Sequence, residues 1–315
     1  MRKVCGLGDM ILTIPWLLAL RRLHPHCSLH LLGHAQQGEL LRYLGVVEES
    51  FPDEGSGWHR LFCESTRGSC SGLRPDPWDY DHVYLFSSDS EGPLAYGLRE
   101  KISRRLTILP ARPLPSQWVH ASWVPFRALN MELDQSLWQG LEWPLVGTKS
   151  ESFLVHPGSG SALKNWPPEK FTWLVDKISE CFPEAKWSVL EGPSDQEAVQ
   201  ALKEFCRRPL EILRPSSLCS LASELRRSLL FLGNDSGVTH LASFLGVPTL
   251  ALFGPSDPFV WAPMGRRVRI AFGQEACEPC HLTKRQKQCQ EPCRRFPSLM
   301  EAWEAFLELR PLIPA

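Results

Sequence analysis

The chain has 315 residues, enough for about two domains of ~150 residues each with real buried cores, which excludes a short disulfide-stapled peptide. Hydrophobic residues are 43% and charged ones 22%, and 22 Gly with 27 Pro stay below a low-complexity composition, so the chain reads as soluble and globular. With 34 Lys and Arg against 35 Asp and Glu the net charge is −1, so the bulk composition carries no attraction to nucleic acid and no nucleic-acid partner is expected.

At the amino end, Arg2 and Lys3 lead into the apolar run 10–20, which imitates a signal peptide. Asp9 before the run, Arg21-Arg22 after it and the lack of a small-x-small cleavage site oppose that reading. The run is also shorter than the ~20 apolar residues of a membrane span. The 11 Cys are odd in number and dispersed, which suits a reducing compartment, and the expected location is the cytoplasm.

Short apolar strands alternate with helical periods along the chain, the pattern of parallel sheets with crossover helices. The first half predicts strands over 28–32, 82–86 and 105–109, and helices over 11–23, 37–44, 93–102 and 120–129. Residues 130–150 show no clear period and read as a linker. The second half predicts strands over 152–156, 186–190, 210–213, 229–232 and 249–253. Helices are expected between them at 168–181, 195–206, 217–226 and 238–245, and a last one at 298–309. The fold class is α/β, two doubly wound domains over 1–147 and 148–297 with a C-terminal helical segment, 298–315, expected to pack back toward the first domain. Ligands are expected at the carboxyl ends of the strands.

Three clusters carry chemistry. In Gly233-Asn234-Asp235-Ser236-Gly237-Val238-Thr239-His240 a strand turns into a helix start. Free N–H groups there favour an anion, Gly237 lets a phosphate approach, and the Ser236 hydroxyl adds a donor, while Asp235 could equally be a helix N-cap. In His156-Pro157-Gly158-Ser159-Gly160-Ser161 through Lys164-Asn165-Trp166-Pro167, a Gly/Ser-rich loop brings Lys164 up to a proline-started helix. An ordinary strand-to-helix loop with a solvated lysine is the competing interpretation. Gly6-Leu7-Gly8-Asp9 lacks the third glycine of a dinucleotide loop and puts an acid where phosphate would stand, so Asp9 suits proton transfer, or again an N-cap.

In this order the clusters resemble glycosyltransferase family 9, the ADP-heptose:lipopolysaccharide heptosyltransferases. Gly8-Asp9, His156-Pro157-Gly158 with Lys164-Asn165-Trp166-Pro167, Asn234-Asp235-Ser236-Gly237 with His240, and Phe253-Gly254-Pro255-Ser256-Asp257-Pro258 match the family pattern. The resemblance covers most of the second half and, in the first, rests on the opening motif. It implies a GT-B fold, two Rossmann-like domains facing across a cleft, the first binding acceptor and the second the nucleotide-sugar. It further implies an inverting, metal-independent transfer of a heptose from ADP-heptose to a lipopolysaccharide inner-core acceptor in a bacterial cell, with no cofactor required. Asp9 would be the general base; Gly158, Ser159, Lys164, Asp235, Ser236, Gly237 and His240 would bind the donor. Glu191, Asp195 and Glu197 compete for the adenosine ribose, and the basic stretch Arg99, Lys101, Arg104 and Arg105 is a candidate acceptor contact or a solvated helix face. Only Met1 to Cys5 precede the opening loop where the family has a full strand, so a start downstream of the true one, or an impaired copy, is expected. A non-catalytic nucleotide-sugar binder and a GT-B-type sugar-nucleotide epimerase are the alternatives.

Cys277, Cys280, Cys289 and Cys293 fall in two close pairs, a spacing compatible with structural zinc, against free thiols or adventitious disulfides. Eight Arg and Lys against three Glu make 265–295 basic, suited to peripheral contact with an anionic inner-membrane surface.

Overall fold

The computed structural model describes residues 6–55, 57, 75–76, 79–102, 106–113, 119–132, 134–138, 152–273 and 293–313. The chain forms two compact units, Met1–Gly6 with Thr13–Asp134, and Leu7–Leu12 with Gln135–Ala315. The boundary therefore falls at 134/135 rather than 147/148, and the segment that carries Asp9 belongs to the second unit.

The expected helix over 11–23 is two helices, α1 (Leu7–Ile11) and α2 (Ile14–Leu23). Pro15 explains the break: it has no N–H to return to residue 11 and its ring would strike that carbonyl, whereas in the first turn of a new helix neither matters. In the first unit α2 is followed by β1 (His30–Gly33), α3 (Ala35–Tyr43), β2 (Glu49–Pro52), β3 (Val83–Ser87), α4 (Pro93–Ile102), β4 (Leu106–Pro110) and α5 (Val124–Ala128). β1 pairs with β2 and β3 with β4, both parallel. β2 was not legible, because Glu49-Ser50-Phe51-Pro52 is neither β-branched nor alternating and its proline is tolerated only at an edge. The expected helix over 120–129 is a 3₁₀ turn, Ala121–Trp123, followed by the short α5 with Pro125 in its first turn. Trp16 of α2 is fully buried and meets Tyr84 and Phe86 of β3 edge to face, at 4.9 and 5.2 Å between ring centres.

The second unit runs β5 (Ser152–His156), α6 (Pro168–Cys181), β6 (Lys186–Leu190), α7 (Gln196–Phe205), β7 (Glu211–Leu213), α8 (Leu218–Arg227), β8 (Leu230–Asn234), α9 (Gly237–Phe244), β9 (Thr249–Phe253), α10 (Pro258–Trp261), β10 (Val268–Phe272) and α11 (Leu299–Leu309). The six strands are parallel in the order β10-β9-β8-β5-β6-β7. The chain thus builds outward from β5 to β7, returns, and builds outward again from β8 to β10, which puts a topological switch between β5 and β8. β8 and β9 are buried at every position, as strands covered on both faces must be. Phe153, Val155, Trp166, Phe171, Leu232 and Leu252 anchor the core.

β10 and α10 were not expected. β10 is an edge strand in which Arg269 interrupts the apolar pattern and Arg266-Arg267 precede it, charges that blunt an edge and disguise it in the sequence. α11 begins where expected, with Ser298 and Glu301 forming a reciprocal capping box. Ala302, Phe306 and Leu309 enter the core of the second unit, against β10, β9 and α6. Residues 302, 306 and 309 form one apolar stripe, and that stripe lies against β9 and β10 of the six-stranded sheet.

Candidate functional site

The switch point gathers the sequence-predicted residues. β5 ends in His156 and runs on to Gly158, and β8 ends in Asn234 followed by Asp235 and Ser236. Asn234, wholly buried, ties the two exits together: its Nδ2 donates to the Pro157 carbonyl at 2.7 Å and its Oδ1 accepts from the Trp166 N–H at 3.0 Å. The Trp166 indole in turn donates to the Pro297 carbonyl at 3.0 Å, so the loop carrying Lys164 is pinned at both ends of one residue.

Ser236 is the N-cap of α9, its Oγ accepting from the Thr239 N–H at 3.3 Å. That settles the competing role of Asp235, which caps nothing. Its Oδ2 accepts from Lys164 Nζ at 2.6 Å, and its Oδ1 lies 3.7 Å from His240 Nε2. Burial opposes ionisation of Asp235, yet His240 and Lys164 outweigh it and hold the carboxyl well below the usual carboxylate range. His240 Nδ1 is buried with no hydrogen-bond partner among the described residues. The start of α9 thus offers unpaired helix N–H groups, the Ser236 hydroxyl and a half-exposed lysine, the elements of an anion site.

α1 packs against this same helix start. A β-carbon on Gly8 would lie 3.0 Å from His240 Cδ2 and 3.7 Å from the Gly237 Cα, so no larger residue fits without a shift. Asp9, the next residue, is half-buried in the first turn of α1 and is not its N-cap.

Of the three carboxylates considered for ribose, Glu191 sits at the carboxyl end of β6 with Oε1 accepting from the exposed Arg214 at 2.6 Å. Glu197 stands exposed in the first turn of α7. Asp195 occupies the N-cap position of α7 but makes no capping bond; its Oδ2 accepts from His156 Nε2 at 3.0 Å and from the Gly192 N–H at 2.8 Å. Burial works against its charge, but the His156 hydrogen bond and charge, with the Gly192 N–H, keep its carboxyl below the ordinary value. Gly158 makes room for it, since a β-carbon there would stand 2.0 Å from Asp195 Oδ1. Ser159 turns its hydroxyl to the Ser161 carbonyl and Asn165 Oδ1, within its own loop.

Arg99 is paired with Glu91 at 2.9 Å on the surface of α4. Lys101 lies in the last turn of α4, while Arg104 and Arg105 fall outside the described residues. So do Cys277, Cys280 and Cys289; Cys293 is part-buried and packs against the core. No group of three or more metal-ligating side chains stands together among the described residues, and no described helix is long and apolar enough to cross a membrane. The sequence assigns His156 and Asn234 no role; the available signal was a polar residue at the end of each of two strands with apolar centres.

A doubly wound sheet with its polar cluster at the switch point, in a two-unit α/β chain, is the architecture of GT-B glycosyltransferases. Solved structures share it. The glycosyl transferase family 9 protein from Veillonella parvula superposes with a TM-score of 0.71 at 21% identity, over 96% of this chain and 94% of that one. The ADP-heptose lps heptosyltransferase II of E. coli gives 0.67 at 17% identity, over 97% of each chain. The glycosyltransferase family 9 (heptosyltransferase) model matches residues 131–293, more than half of the chain, and the chain belongs to that family. Lipopolysaccharide heptosyltransferase 1 of Campylobacter coli is 32% identical over 139 residues, 42% of this chain and 41% of that protein. The chain thus matches about two fifths of the length of its curated relatives.

Proposed function

We propose that the protein is an inverting glycosyltransferase that moves a heptose from ADP-heptose to an acceptor of the lipopolysaccharide inner core. The names borne by the relatives support the donor and acceptor classes. The observation that carries the reading is the start of α9, where an anion site built from Ser236, Gly237 and Lys164 lies against the segment that presents Asp9.

In this reading the Asp9 carboxylate takes the proton of an acceptor hydroxyl as its oxygen forms the new bond to the anomeric carbon. The bond from that carbon to the diphosphate breaks on the opposite face, and ADP leaves with the electron pair. Lys164, the Ser236 hydroxyl and the helix N–H groups stabilise the departing charge. Backbone and lysine together supply that charge, so the proposed chemistry calls for no cofactor. Asp235 and His240 line the donor site, with Gly158 and Ser159 in the adjoining loop. Glu191 is our choice for the ribose, because it stands at the carboxyl end of β6 with one oxygen on the exposed Arg214, whereas Asp195 is buried and held by both His156 and Gly192. The stretch Arg99 to Arg105 would meet anionic groups of the acceptor, the cysteines of 277–293 would hold a structural zinc, and the basic segment 265–295 would contact the cytoplasmic face of the inner membrane.

A thermal-shift screen of ADP- and UDP-sugars tests the donor. A ligand at about 100 times its Kd stabilises the folded state by about 2.7 kcal/mol. ADP-heptose should raise Tm clearly and UDP-sugars should not; a response to UDP-sugars alone, or to none, would reject the reading.

A further inference from the structure

The proposed chemistry uses Ser236 but leaves unused the two buried side chains that reach it. Asp195, His156 and Ser236 are 8%, 3% and 7% exposed, come from three separate elements, and meet at the switch point. Asp195 is ionised and can only accept, so His156 Nε2 must carry the hydrogen of the 3.0 Å bond. In the neutral ring this leaves the Nδ1 lone pair facing Ser236 Oγ at 3.4 Å. The Thr239 hydroxyl donates to the Asn234 carbonyl, so its 3.0 Å contact with Ser236 Oγ runs from serine to threonine. The single Ser236 hydrogen is therefore shared between two fixed acceptors, His156 and Thr239, while its oxygen receives the Thr239 N–H.

We infer that Asp195, acting through His156, is a positioning residue for Ser236, holding its oxygen in one side-chain rotamer at the start of α9, from which the hydroxyl hydrogen swings from His156 to a diphosphate oxygen when one binds. Asp195 fixes the tautomer and plane of the imidazole, and the imidazole limits the rotation of the serine. A hydroxyl already confined loses little freedom when an anion arrives, which is how preorganised donors gain affinity. The ligand's identity rests on the nucleotide-sugar reading above.

The test measures Kd for inorganic pyrophosphate and for ADP-heptose with H156Q, S236A, their double variant, D195N and D195A. Gln at position 156 keeps a nitrogen for Asp195 but places nothing at Nδ1, so H156Q should weaken both ligands about tenfold. In an S236A background the same change should have no further effect, because the group being positioned is gone. D195N keeps an oxygen for His156 and should bind near wild type, whereas D195A should match H156Q. Should H156Q not fold, D195A with and without S236A gives the same coupling. Equal losses in both backgrounds, or no loss in either, overturn the inference. Coupling seen with pyrophosphate in a protein that ignores ADP-heptose would reject the donor and keep the inference. Additive losses for ADP-heptose would do the reverse, and a wild type that binds neither ligand rejects both.

Discussion

Gly237 and Leu7 are in contact across the start of α9: a β-carbon on Gly237 would stand 2.6 Å from Leu7 Cβ and 3.0 Å from the Gly8 nitrogen. One of these obstacles is backbone, so a side chain at 237 must move the segment that carries Asp9. Gly237→Ala should lower stability by about 1–3 kcal/mol, as overpacking does, and reduce glycosyl transfer about 100-fold through displaced geometry. Tm together with turnover checks this; wild-type values for both would show that the contact has slack.

Gly158 and Asp195 give a second steric test. A methyl at 158 would fall 2.0 Å from Asp195 Oδ1 and push the carboxylate off His156. Gly158→Ala should destabilise by about 2–3 kcal/mol, the scale for breaking a buried charged hydrogen bond. In the Asp195→Ala background the same change should cost much less, since the carboxylate has gone and only the β-carbon of residue 195, 3.0 Å away, still crowds the new methyl. Chemical denaturation of the four proteins completes the cycle, and fully additive losses would contradict it.

Much of this was legible in the sequence, unevenly. β5, β6, β9 and α6 have the bounds the sequence predicts, because short mainly apolar runs and a proline-started amphipathic period are local signals. The capping of α9 by Ser236 required knowing which residue leaves the strand conformation, and Asp235 and Ser236 are equally good caps on composition. Asp195 reads in the sequence only as a ribose candidate because its partner His156 lies 39 residues away, a distance no local pattern reports. The stripe 302, 306 and 309 announced a buried face for α11 but not which sheet would cover it. Pro15, by contrast, was a legible break that the apolar run obscured.

Acid should weaken the second unit. Asp195 and Asp235 are held below their ordinary values in the folded chain, so the unfolded state binds more protons as pH falls. Their stabilisation is complete above the unfolded carboxylate value of about 4 and is lost as pH drops from there through the depressed folded values. Between about pH 5 and pH 3 the wild type should lose stability more steeply than Asp195→Asn or Asp235→Asn. Identical slopes in denaturant unfolding at each pH would refute the coupling.

The cysteines at 277, 280, 289 and 293 lend themselves to direct metal analysis. Protein purified without chelators should carry about one equivalent of zinc, lost when the cysteines are replaced by serine. A clearly lower content would reject the structural zinc.

The proposed transfer turns on Asp9 taking the proton of the acceptor hydroxyl at an anion site supplied by α9. Asparagine keeps the size of the side chain and cannot serve as base, so Asp9→Asn separates chemistry from binding. Transfer of heptose from ADP-heptose to an inner-core acceptor should fall by about 10²–10⁴-fold, the range for removing a general base, while the Kd for ADP-heptose stays at the wild-type value. Full turnover in Asp9→Asn would rule out Asp9 as that base.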